Sequence, residues 1–126
     1  MENQKQKLVD KKTVQRLLIH LGIAPKTNGY GYLATAITLR LECRNAEMRM
    51  KELYARVARE FRVSAASVER CMRFAVGRAY NVNRLDGINN LYKARIINEV
   101  PMLSDFIMYI VEYFDSFYRC DDYMIG

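Results

Sequence analysis

The side chains that ordinarily do chemistry are sparse in this sequence. His20 is the single histidine, and the three cysteines, Cys43, Cys71 and Cys120, include no CxxC pair. An odd, dispersed set of thiols suggests neither a zinc site nor a disulfide framework, and one histidine is a poor basis for a Ser/His or Cys/His pair. On a helix His20 falls between Ile19 and Leu21, where a partly buried structural imidazole is expected. Gly29-Tyr30-Gly31 is the one GxG-like element, and it lacks the third glycine and the preceding strand of a dinucleotide loop. Asp121-Asp122 reads as an exposed acidic tail. No catalytic residue, metal ligand or cofactor is expected.

What remains is cationic chemistry on a helical scaffold. The stretch from Val57 to Arg73, VAREFRVSAASVERCMR, reads as helix, tight turn, helix. Ala58 is small, as a point of helix contact requires, and Phe61 and Val63 are expected to plug the junction. Ser64 stands at the N-cap of the second helix, its hydroxyl placed to accept a backbone N–H that is otherwise unpaired. Val68, Met72, Ala75, Val76 and Ala79 fall within about 80° of one direction when the chain turns about 100° per residue. Arg70 and Gly77 lie almost opposite. Ala66 and Arg73 flank them on one side, Ser67 and Phe74 on the other, and Glu69 sits at the margin. A basic, exposed second helix after a short turn is the geometry of a helix-turn-helix, whose second helix enters the DNA major groove and reads base edges. Arg62 departs from that pattern, because the turn usually carries glycine there. A left-handed backbone at a non-glycine residue costs about 1 kcal/mol.

The elements that must position this hairpin are also helical. Val14, Leu17, Leu18 and Leu21 repeat at i, i+3, i+4 and i+7, and Gly22 reads as the stop signal. A second helix is expected from about Tyr30 to Cys43, burying Leu33, Ile37 and Leu41, with Ala36 allowing close approach. A third runs from about Met48 to Arg62, with an interruption expected near Glu52, and a fourth from Ala65 to Tyr80. A turn over 81–86, a short helix around Gly87–Tyr92 and a last helix from Leu103 or Ser104 to Tyr118 complete the chain. Arg95 to Val100 is the one stretch ambiguous between strand and loop. The expected fold is all-α, a compact bundle of about six helices containing a helix-turn-helix. It forms a single domain over 1–126, with residues 1–10 flexible.

The chain has 126 residues, 51% hydrophobic, with a formal charge of +6. That is enough apolar material for a core, while no run approaches the roughly 18 residues of a membrane span. The polar start, MENQKQKLVDKK, lacks the apolar stretch of a signal peptide, so a cytoplasmic location is expected. The charge is uneven: residues 44–80 hold nine Lys/Arg and four Asp/Glu, and residues 99–126 hold one and six. A basic middle and an acidic end point to two surfaces with different partners.

LLIHLGI, GYGYLATAI, SAASVERCMRFAV and LDGINNLY, in that order and at this spacing, resemble the C-terminal DNA-binding effector domain of the sporulation response regulator family of endospore-forming bacteria. The resemblance covers roughly Val14 to Phe117. It implies an all-α domain that binds a short double-stranded promoter element as a tandem pair and acts with RNA polymerase. Glu69, Arg70 and Arg73 match positions that face DNA in that family. Ser67 stands where the family has a base-reading arginine, and Phe74 where it has histidine. These 126 residues are not expected to include the family's receiver domain.

These observations lead to a sequence-specific DNA-binding transcription regulator without catalytic activity. Ser67, Glu69, Arg70, Arg73 and Phe74 form the base-reading set. Arg70 and Arg73 suit guanine or phosphate, and Glu69 suits a cytosine amino group or the buttressing of an arginine. Lys51, Arg56, Arg59, Arg62 and Ser64 are candidates for phosphate contacts. The acidic last helix favours a head-to-tail homodimer on tandem DNA sites, packing its apolar stripe on the first two helices. The alternative is a helical protein-interaction module in which the changes at Ser67 and Phe74 have weakened DNA binding.

Overall fold

The computed structural model describes residues 9–43 and 48–118, with side chains as far as Ser116. The flexible lead expected over 1–10 falls outside the described residues except for Val9 and Asp10. Cys120, Asp121, Asp122 and the side chains of Phe117 and Tyr118 also lie outside them. The described residues form six α-helices and a terminal π-helical turn: α1 (Lys11–His20), α2 (Asn28–Glu42), α3 (Met50–Phe61), α4 (Ala65–Asn81), α5 (Asp86–Tyr92), α6 (Leu103–Glu112) and the π turn Tyr113–Tyr118. No strand occurs among them, and Arg95–Val100 is irregular.

Local sequence sets the ends of these helices. Asp10 caps α1: its carboxylate accepts from the Thr13 N–H at 2.9 Å and from the Thr13 hydroxyl at 2.8 Å. The first of these bonds, chiefly, holds the Asp10 carboxyl below its ordinary range. At the other end Gly22 takes φ 92°. Ile23 N–H then reaches back to the Leu18 carbonyl at 2.9 Å, and Gly22 N–H to that of Ile19 at 3.0 Å. This pair of bonds satisfies carbonyls the helix leaves orphaned.

The same motif ends α3 and α4, with Arg62 and Asn83 at the left-handed position, at φ 59° and 62°. Only Gly22 carries this conformation without side-chain strain. Arg62→Gly is therefore expected to raise stability by about 0.5–1 kcal/mol. A thermal melt that stays unchanged or falls would show that the Arg62 side chain contributes more than its backbone strain costs.

The central element is α2. Tyr32 to Ile37 is buried without a break, so this helix is apolar on nearly every side. It packs against α1, α3, α4 and α6. At its first turn Gly29 meets α4 so closely that a Cβ would lie 2.6 Å from the Cys71 carbonyl oxygen and 2.8 Å from the Ala75 Cβ. Close approach to a neighbouring helix, rather than a phosphate loop, accounts for this member of the Gly-Tyr-Gly element.

Several expectations are corrected. Helix α3 is continuous through Glu52, because Leu53, Tyr54, Val57 and Ala58 bury one uninterrupted stripe. The α6 stripe of Phe106, Ile107 and Ile110 seats on α2, as expected, but its second support is α4 in place of α1. His20 is exposed, and its carbonyl accepts from the Arg84 guanidinium at 2.8 Å. Its ring lies off the Val14–Leu18 stripe that faces the core.

The 93–98 segment is held by one side chain. The Asn89 carbonyl oxygen accepts from the N–H groups of Ile96 and Ile97 at 2.6 and 2.7 Å, and its amide donates to the Ile97 carbonyl at 3.2 Å. These bonds replace the ladder that a strand would have supplied and seat Ile97 in the core. One turn further along α5, Tyr92 donates to the Tyr109 carbonyl at 2.7 Å and ties α5 to α6. Burial, aided by the charge of Glu112, pushes the Tyr92 hydroxyl up to about 12.

Candidate nucleic-acid interface

Helices α3 and α4 are joined by Arg62, Val63 and Ser64. Ser64 caps α4 as its position requires, its hydroxyl accepting from the Ser67 N–H at 3.0 Å. Val57, Ala58 and Val68 are the buried residues at this corner. Phe61 and Val63 do not plug it: each is 38% exposed. The Phe61 ring instead meets the edge of Tyr32 at a centroid distance of 4.9 Å. One tight turn has too little interior to enclose both side chains, so they rim the corner.

Helix α4 buries Val68, Met72, Ala75, Val76 and Ala79, the stripe its periodicity defines. Arg70, Arg73 and Phe74 are exposed on the rest of its circumference, and Ser67, Glu69 and Gly77 are half-buried. Two of the charged groups are already paired: Arg73 donates to a Glu69 carboxylate oxygen at 2.6 Å, one helical turn apart. Beneath them lies Tyr54 of α3. Its burial raises the hydroxyl's pKa, the negative charge of Glu69 adds to the rise, and Arg73 opposes it. Helix α4 therefore carries one arginine braced by a carboxylate. Among the described residues Arg70 makes no ion pair. Tyr54 escaped the sequence reading as a support because its spacing marks it only as a member of the α3 stripe.

The five phosphate candidates are all exposed, but they do not form one surface. Arg62 and Ser64 sit in the turn at the foot of α4, and Lys51 lies in the first turn of α3. Around the α3 axis Lys51 and Arg56 point roughly 140° apart. Arg56 and Arg59 border a groove whose other lining residues are Leu39 and the carboxylates Glu52 and Glu60. Charge counting along the sequence could not separate these cations, because it carries no information on which flank of α3 each one occupies.

A six-helix domain in which a buried α2 seats a capped helix-turn-helix, with arginines on the outward face of the second helix, has the architecture of a helical DNA-binding domain. The family described as sporulation initiation factor Spo0A C terminal matches residues 14–114. The chain belongs to that family of sporulation transcription factor DNA-binding domains, which is not a family of enzymes. Among the described residues no group of His, Cys, Asp or Glu could hold a metal ion. No described helix is long and apolar enough to cross a membrane.

Proposed function

We propose that this chain is a sequence-specific regulator of transcription that lays α4 in the major groove of a promoter element and reads it with Arg70, Arg73, Glu69, Ser67 and Phe74. The observation that carries the reading is Arg70: an exposed guanidinium with no ion pair among the described residues, near the centre of the outward face of a helix capped at its foot. A free guanidinium there matches the paired acceptors O6 and N7 of guanine. Arg73, braced by Glu69, has less freedom and serves a fixed position. Lys51, Arg59, Arg62 and Ser64 grip phosphates on either side, and Arg56 contributes least because Glu52 and Glu60 stand one helical turn before and after it on α3. Membership of the family supports two further partners: a second copy on an adjacent site, arranged head to tail, and RNA polymerase.

Selection of bound sequences from a pool of random duplexes tests this reading directly. A defined element should emerge, and Arg70→Ala should lose about 1–3 kcal/mol on it while flattening preference at one base pair. Lys51→Ala should weaken all duplexes alike. Should Arg70→Ala leave both affinity and preference intact, α4 is not the reading element.

A further inference from the structure

Two residues on the outward face of α4 have no role inside the protein. Phe74 is 65% exposed, an aromatic ring left in water in the middle of a basic surface. Gly77, three residues on, lies within a 17-residue helix, where glycine costs about 1 kcal/mol relative to alanine. Other glycines with that penalty are explained by their neighbours. A Cβ at Gly29 would lie 2.6 Å from the Cys71 carbonyl oxygen, and one at Gly87 would lie 2.7 Å from a Leu21 methyl. A Cβ at Gly77 would meet nothing within 4 Å. Phe74, Gly77, Arg78 and Asn81 line a shallow hollow on the helix surface, with the ring as one wall and the bare backbone of Gly77 beside it.

We propose that Phe74 is a specificity-determining residue whose ring packs against the 5-methyl group of a thymine in the major groove, with Gly77 keeping the space beside it clear. This rests on the reading of α4 as the helix that lies in the groove. Phe74 follows Arg70 by one helical turn and precedes Arg78 by another, so it lies in the same row as the proposed guanine-reading arginine. Cationic side chains on both sides hold the ring near a polyanion. Within the major groove, the thymine methyl is the apolar feature that a ring without hydrogen-bonding groups can recognise. A base read in this way is distinguished by contact area rather than by hydrogen bonds, so removing the methyl alone removes the contact.

The experiment uses the whole chain and the duplex it selects from a random pool. Each thymine of that duplex is replaced in turn by deoxyuridine, which lacks only the 5-methyl group. At one or two positions the wild type should bind the uracil duplex about fourfold more weakly, the effect of one buried methyl group. Phe74→Ala should bind the thymine and uracil duplexes equally at those positions, and Phe74→Leu should keep part of the difference. Because the ring is largely in solvent, these variants should keep the thermal stability of the wild type. Gly77→Ala should melt higher than wild type yet bind the duplex more weakly, opposite signs that a merely structural glycine would not give.

If the wild type selects a duplex but no thymine-to-uracil change matters, the proposal fails while the DNA-binding reading stands. It fails in the same way if the difference persists in Phe74→Ala, or if that variant only alters association between copies of the chain. If no duplex is selected at any salt concentration, both the reading and the inference fall.

Discussion

Raising monovalent salt from 50 to 200 mM should weaken binding of this domain to its duplex by roughly 40-fold. Each phosphate neutralised by a cation releases condensed counterions, and log affinity falls by about 0.9 per contact for each unit of log salt. Lys51 and Arg62 stand clear of the groove that holds Glu52 and Glu60, Arg59 lines it beside Arg56, and the three contacts together give a slope of about −2.7. The structure makes the dissection specific. Arg62→Ala should reduce the slope by about 0.9, and Arg56→Ala should reduce it by less, since Glu52 and Glu60 stand one helical turn on either side of it. Equilibrium titrations at four salt concentrations check both statements. A flat salt dependence would remove phosphate contacts from the account. A slope that falls as much for Arg56→Ala as for Arg62→Ala would show that the flank of α3 carrying Arg56 also faces DNA.

The largest structural effect is expected at a residue remote from any base. Gly29→Ala should destabilise the domain by about 2–3 kcal/mol, because its methyl would press on the Cys71 backbone carbonyl and the Ala75 methyl. Neither neighbour is the free end of a flexible side chain, so relief requires α2 and α4 to move apart. The resulting fall in Tm is roughly 5–15 °C for a domain of this size. DNA affinity measured well below the new Tm should fall as well, since α4 is then displaced from the seat that aims Arg70 outward. Gly31→Ala is the control: its Cβ would make ordinary contact with the Phe61 ring at 3.7 Å, and it should melt within a few degrees of wild type. Equal melting of the two variants would show that the α2–α4 crossing tolerates an extra methyl group.

The two glycines of Gly29-Tyr30-Gly31 illustrate how legible this protein is. Read along the chain they are a weak phosphate-loop signal, and their different surroundings appear only when α4 is laid across α2. The α4 hairpin is the opposite case. Its cap at Ser64, its five-residue buried stripe and the outward position of Arg70 are all local consequences of composition and of the helical repeat. The strain at Arg62 was also visible, because a turn this short needs a left-handed residue whatever occupies the position.

Sequence alone therefore determined the helical class, the element order, the buried stripe and basic outward face of α4 and the family to which the chain belongs. Helical periodicity fixes the direction of a side chain about its own axis, and capping chemistry is settled within four residues. Tertiary structure decided the rest: the seat of α6 on α2 and α4, the place of Tyr54 beneath Glu69 and Arg73, and the close approach of Gly29 to Cys71. Each of these depends on which helices cross and at what distance, and those are properties of the packed core that no single stripe contains. Gly29 and Cys71 lie more than forty residues apart in the chain, and only the crossing of α2 and α4 turns an ordinary glycine into the contact on which α4 rests.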